Sequence, residues 1–254
     1  MSALLAWPLA SVIQGGLLAA VVALAAYLQS LTGFAFGLVL LALSTQLGLL
    51  SIADASQLVN SLTLAGALLL LWRGRLAPDW RLFAWGVLPA LPMVPLGLWL
   101  LGQLSGDAIY WLGKLLGLVV VLSSLTILWP PPLATLAGNY WVKLACGALS
   151  GLMGGLFATA GPPLVLLFYQ LGLPAARVRD TLMLVFAGCG LLRLLVSVPG
   201  GVFNPDLLLP TLFLLPVYWG ASRLGLHRGA ASKGPGLRRL VALLLLGSGL
   251  AMLA

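Results

Sequence analysis

Apolar residues run in long blocks along this chain, and polar positions gather in the short stretches between them. About 20 consecutive apolar residues suffice to cross a bilayer core. Ten such segments are legible, at 9–28, 36–52, 55–72, 82–102, 109–129, 140–157, 162–173, 178–198, 205–222 and 237–254. The pairs flanking Gly33 and Gly161 are short enough to be re-entrant hairpins, which would leave eight full crossings. The pattern predicts an all-α polytopic membrane protein.

The blocks also repeat. Residues 60–73 (NSLTLAGALLLLWR) align without gaps on 180–193 (DTLMLVFAGCGLLR), pairing Leu62 with Leu182, Ala67 with Ala187 and Arg73 with Arg193. Residues 78–89 align on 205–216, where a Pro-Asp pair stands eleven residues before another proline in both copies. Residues 112–128 align on 237–253, pairing Lys114 with Arg239. Leucine matches mean little here, but the Pro-Asp match does. The chain therefore divides into a first repeat, 1–129, and a second, 130–254, of about five helices each. Five is odd, so the second copy enters the membrane upside down, an arrangement common among secondary transporters.

Charge supports that orientation. Basic residues sit at 73–81 (Arg73, Arg75, Arg81), in Arg177 and Arg179, and at 223–239 (Arg223, Arg228, Lys233, Arg238, Arg239). With Lys143, that puts all basic residues except Lys114 and Arg193 on one side, which the positive-inside rule assigns to the cytoplasm. Both termini then face the periplasm. The start of the chain has no basic residue before its first apolar run, so it reads as a retained helix and not a signal peptide. Cys146 and Cys189 both fall inside apolar runs, as small buried thiols do.

Composition narrows the function. The 254 residues are 61% hydrophobic and 7% charged, with mean hydropathy +1.12 and no glutamate. So few charges cannot clothe a water-facing surface, and the outside must face lipid. The net charge of +8 reflects topology and not nucleic-acid binding. Membrane-embedded catalysis would need His, Glu or paired Asp within the spans. The single histidine, His227, lies in a basic connection, no two Asp are near in sequence, and Ser150 lacks a base. The chain is not read as an enzyme, and no cofactor motif is present.

Two breaks carry the candidate chemistry. Gln29-Ser30-Leu31-Thr32-Gly33 and Gly151–Pro163, which holds Gly155, Thr159 and Gly161, occupy matching places between the first two helices of each half. A helix beginning inside the membrane points N–H groups and partial positive charge into a cavity, which suits an anion. Thr32 and Thr159 can cap such starts or bond a ligand oxygen. Asn60-Ser61 and Asp180-Thr181 are expected to open equivalent helices and to bind substrate, with Asp180 also a candidate proton carrier. The competing reading makes Asp180 a cap beside Arg177 and Arg179. Arg193, 16 residues beyond Arg177, is about 24 Å further along an ideal helix. It is either a ligand or an arginine snorkelling to the outer boundary. The blander reading of the glycines is close helix packing.

QSLTGFAFGLVLLAL in the first half and GGLFATAGPPLVLLFYQLG in the second resemble the sulfite exporter TauE/SafE family of bacterial membrane transporters. The resemblance implies export of a small anionic sulfur compound, sulfite or an organic sulfonate, across a bacterial inner membrane. The partners expected are that anion and the lipid bilayer, with a homodimer compatible and no nucleic acid. Alternatives left open are a uniporter or channel for another small anion, or a non-transporting membrane assembly factor.

Overall fold

The computed structural model describes residues 9–32, 34–72, 77–103, 107–129, 138–159, 161–201, 203–231, 242–243, 246–251 and 253. Its regular elements are α1 (Leu9–Thr32), α2 (Ala35–Gln46), α3 (Ile52–Trp72), α4 (Trp80–Val87), α5 (Met93–Gln103) and α6 (Asp107–Leu128). After these come α7 (Tyr140–Phe157), α8 (Pro162–Tyr169), α9 (Ala175–Ser197), a 3₁₀ turn (Pro205–Leu207) and α10 (Leu208–Ala231). Residues 246–251 are helical as well, and no strand occurs among the described residues. The chain is an all-α polytopic membrane protein. Ile13–Ser30, Ile52–Trp72, Tyr140–Phe157, Ala176–Ser197 and Pro205–Gly225 are long and apolar enough to cross a bilayer.

Local chemistry sets the boundaries. Ser51 precedes α3, where its hydroxyl accepts from Asp54 N–H at 3.1 Å and donates to the Asp54 carboxylate at 2.8 Å. Asp79 caps α4 by accepting from the Arg81 and Leu82 N–H groups at 3.0 and 3.1 Å. Asn139 caps α7 through Trp141 N–H. Gly48 ends the turn after α2 at φ +64°, a conformation that glycine adopts freely.

Four expected boundaries move. The single segment 82–102 is divided into α4 and α5 by hydrogen-bonded turns at 88–92, because Pro89 and Pro92 cannot donate to a continuous helical ladder. Helix α9 begins at Ala175, so Asp180 is its sixth residue and does not open it. Asn60 likewise lies well inside α3, not at its start. Helix α10 continues to Ala231 and takes in Arg223, His227 and Arg228, which the charge pattern had placed in a connection. Gly33, Arg73, Arg75, Lys233, Arg238, Arg239 and the junction at 130–137 lie outside the described residues, as does the side chain of Thr32.

Helices α2 and α8 hold 12 and 8 residues. At 1.5 Å per residue they rise only about 18 and 12 Å, well short of the roughly 30 Å hydrocarbon core. Each is the centre of an apolar cluster. Ala35, Phe36 and Leu38–Ala42 of α2 pack among Val22, Leu58, Leu62, Leu116 and Phe157. Leu164, Leu167 and Phe168 of α8 pack among Leu82, Val94, Leu182 and Val185. A helix apolar on every side must be enclosed, and both are. Large side chains on other helices face outward, and exposed Trp72, Trp111, Trp129 and Trp141 stand near helix ends, where interfacial tryptophans gather.

Three seams join residues 9–128 to residues 139–231. Helices α3 and α9 run antiparallel: Ser56 meets Arg193 and Asn60 meets Gly190. Helices α5 and α7 run parallel, with Pro89 against Gly147, Ala90 against Gly151 and Gly97 against Gly155. Helix α1 packs on α10, where Tyr218 donates to Gln29 Oε1 at 3.1 Å.

Candidate functional site

Helix α7 ends in a strained turn. Ala158 takes the left-handed conformation, φ 55°, while its N–H still bonds Gly154 O. A residue with a Cβ pays about 1–2 kcal/mol for that conformation, so packing must hold the turn. Thr159 follows, then Gly161 and the two prolines that start α8.

Helix α8 does not offer the row of free donors expected of it. Pro162 and Pro163 have no N–H. Leu164 N–H donates to Ser150 Oγ at 3.3 Å, and Val165 N–H to Gly161 O at 2.9 Å. What α8 contributes is the positive end of its dipole, not a cradle of amides. Ser150, with no base beside it in the sequence, is a helix-capping residue of α8.

The two breaks touch. A Cβ on Gly37, in the first turn of α2, would collide with the Thr159 methyl and lie 3.2 Å from Val59 Cγ1. A Cβ on Gly161 would lie 3.7 Å from the Phe34 ring. The Thr159 side chain is 6% exposed, and its hydroxyl is the one buried side-chain polar atom without a hydrogen-bond partner among the described residues.

Arg193 lies in the interior, 5% exposed, and does not snorkel. Its Nε donates to Gly155 O at 3.0 Å and its Nη2 to Ser56 Oγ at 2.7 Å. The Ser56 hydroxyl is oriented to accept because it donates to Ala53 O at 2.8 Å. Axial rise misjudged this residue because α3 and α7 enclose α9 at its depth. The one ion pair among the described residues joins Arg179 to Asp180, so no described carboxylate lies within 4.0 Å of Arg193. A guanidinium carries five N–H donors, of which the described residues engage two here. A buried cation without a counter-charge is costly unless an anion arrives.

The remaining sequence candidates divide. Val59 and Ser56 are one turn apart on α3, so Thr159, Gly37, Ser56, Gly155 and Arg193 form one neighbourhood. Gly155 has a second role, since a Cβ there would strike Val94 O and lie 2.8 Å from Gly97 Cα. Here the close-packing reading of the glycines holds. Asn60 donates to Gly190 O at 3.0 Å and fills the space above that glycine, tightening the α3–α9 crossing. Ser61, half-buried, is offset by about 100° around α3 from Asn60. Gln29 and Ser30 face α10, Gln29 through Tyr218 and Ser30 against Gly225.

Asp180 and Thr181 lie at the opposite end of α9 from Arg193. Asp180 accepts from Ala77 N–H at 3.2 Å and from Arg179 Nε and Nη2 at 3.1 and 2.9 Å. Thr181 accepts from Asp79 N–H at 2.8 Å and donates to Arg177 O. Together they hold the segment leading into α4. A matching clasp holds the segment before α10, where the Gln57 amide exchanges two hydrogen bonds with the Asn204 backbone at 2.7 and 2.8 Å. The reading from sequence missed Ser56, Gln57 and Tyr218. Ser56 was detectable, because four residues separate it from Asn60 and place both on one face of α3. Among the described residues no three His, Cys, Asp or Glu side chains gather as metal ligands do.

Known proteins agree with the membrane fold. A probable sulfite/organosulfonate exporter, TauE, of Cupriavidus necator is 33% identical over 201 residues, covering 78% of each chain. A probable inner membrane transporter protein, TsaS, of Comamonas testosteroni is 29% identical over 175 residues, covering 68% of this chain and 72% of its own. No solved structure matches the chain. The profile of the family described as Sulfite exporter TauE/SafE matches residues 18–252, so the buried arginine and the two touching breaks are those of a chain that belongs to the sulfite exporter TauE/SafE family of membrane transporters.

Proposed function

We propose that this chain is a secondary transporter that exports a small sulfur oxyanion, sulfite or an organic sulfonate, by alternating access around the Arg193 neighbourhood. One observation carries the reading. Arg193 is buried where both halves meet, held in a fixed pose by Gly155 O and Ser56 Oγ, with no carboxylate beside it among the described residues. A guanidinium with unused donors in a low-dielectric site recognises an oxyanion through charge-assisted bonds. The related exporter of Cupriavidus necator supports the sulfur chemistry.

The frame we propose for this movement is a pair of inverted repeats, 1–129 and 130–254, with basic connections in the cytoplasm and both termini in the periplasm. Its support is reciprocity. Helix α3 and its sequence counterpart α9 pair with each other and run antiparallel. The first helix of each half packs on the fourth membrane segment of the other, α1 on α10 and α7 on the α4–α5 segment. The clasps are exchanged in the same way. Two-fold contacts have this form, and inverted repeats around a midplane site are a common transporter design.

Uptake into proteoliposomes of labelled sulfite, a short sulfonate, sulfate and a carboxylate tests the reading. Saturable flux of the first two, lost in Arg193→Gln, is expected. Flux unchanged by that substitution removes Arg193 from the site, and no flux of any anion removes the transporter reading. A uniport driven by the anion's own gradient is the second reading, favoured because the Asp180 carboxylate is taken up by Arg179 and Ala77. An imposed pH gradient that leaves flux unchanged would select it.

A further inference from the structure

We infer that the Thr159 hydroxyl is the specificity determinant that separates pyramidal or tetrahedral sulfur oxyanions from planar carboxylates; this rests on the anion site proposed at Arg193. Burying a hydroxyl without a partner is unfavourable, and Thr159 does so beside a break already strained at Ala158. Packing alone does not call for this residue, since valine would supply the same methyl contact to Gly37 without the orphaned oxygen. That contact instead fixes the side chain. With the methyl seated where Gly37 lacks a Cβ, one orientation of the hydroxyl is set before any ligand arrives.

The chemistry of the two donors is complementary. The guanidinium is planar, and its free N–H groups can address two oxygens of an anion in its own plane. A carboxylate has no further oxygen. A sulfite or sulfonate has a third, which must lie out of the plane of the other two and needs a donor outside the guanidinium fork. Thr159 belongs to a different element, on the turn between α7 and α8, and its methyl faces Gly37, which also lies beside Val59, one turn along α3 from the Ser56 that holds Arg193. Its hydroxyl is the uncommitted donor of that neighbourhood.

Methanesulfonate and acetate make a matched pair, each a methyl group on an oxyanion head, one with three oxygens and one with two. Both are titrated against the purified full chain, with binding read by calorimetry and by the shift in Tm. The wild type is expected to prefer methanesulfonate. Thr159→Val should weaken methanesulfonate about ten-fold while acetate changes less than about two-fold, as expected for loss of one hydrogen bond to a charged group. Thr159→Ser, which keeps the hydroxyl, should retain the preference and serves as the control for folding. Equal losses for the two anions in Thr159→Val, no loss for either, or loss of the preference in Thr159→Ser would each overturn the assignment. A wild type that binds neither anion instead removes the Arg193 site itself, a result separate from failure of the Thr159 role.

Discussion

The α5–α7 and α1–α10 seams, which the proposed repeat makes equivalent, are built from different materials. Along α7, Gly147, Gly151 and Gly155 recur every fourth residue and bring its backbone against Pro89, Ala90, Val94 and Gly97. A Cβ on Gly151 would lie 2.5 Å from Ala90 Cα, so backbone meets backbone with nothing able to yield. Along α1 and α10, Gly15, Gly16 and Gly220 have open space where their Cβ would be, and the close approach is at Gly225, whose Cβ would strike the Ser30 side chain and lie 2.9 Å from Tyr27 O. The join there depends on side chains, chiefly Tyr218, which donates to Gln29, stacks edge-on against Phe36 at 4.9 Å and fills the space beside Gly66. Under the proposed duplication, the two halves keep equivalent contacts and build them from different residues. The glycine seam fixes the carbonyl of Gly155 that holds Arg193.

The largest expected effect breaks this contrast most directly. Gly151→Val should cost 3 kcal/mol or more, at or beyond the upper end of the usual ~1–3 kcal/mol for overpacking, because the opposing atoms are main chain. Gly220→Val should fall within about 0.5 kcal/mol of wild type. Yield and Tm of the detergent-purified protein measure both, and similar losses would erase the distinction between the seams.

Next is Arg193→Lys, which keeps a charge and loses the fork. It should weaken oxyanion binding by about 1.5–3 kcal/mol, the value of hydrogen bonds to charged groups. Wild-type affinity in that variant would reduce the arginine to a point charge.

The clasps come third. Gln57→Leu removes two hydrogen bonds to Asn204 and should lower stability by about 2 kcal/mol; Thr181→Val removes the bond from Asp79 N–H and the bond to Arg177 O within its own helix, and should lower it by about 1–2 kcal/mol. Thermal melts of the two variants would sharpen the reciprocity of the halves, and a silent Gln57→Leu would deny it.

Smallest is Tyr218→Phe. It keeps the ring against Phe36 and loses the bond to Gln29, for a cost of about 1 kcal/mol in the same melts.

The all-α membrane fold is readable in the sequence, since apolar block length is a local signal. The turn between α4 and α5 was not read, although Pro89 and Pro92 were in view. Pro216, which aligns with Pro89 in the sequence, lies inside continuous α10, so a proline alone does not say whether a membrane helix breaks. Arg193 was placed by distance along its own helix, but burial is decided by the neighbours α3 and α7, which axial rise does not contain. Thr159 was legible as a candidate. Its lack of a partner is a property of packing and could be seen only in three dimensions.

The α1–α10 seam has a further consequence for the order in which the protein is made. Tyr218 follows its partner Gln29 by 189 residues. At a synthesis rate of about 5–20 residues per second, the first helix waits roughly ten seconds or more for its partner to emerge. Through that interval the Gln29 amide sits in a membrane segment without the tyrosine that engages it. The first half therefore enters the bilayer as an unfinished surface, and the seam that completes it is one of the last to form.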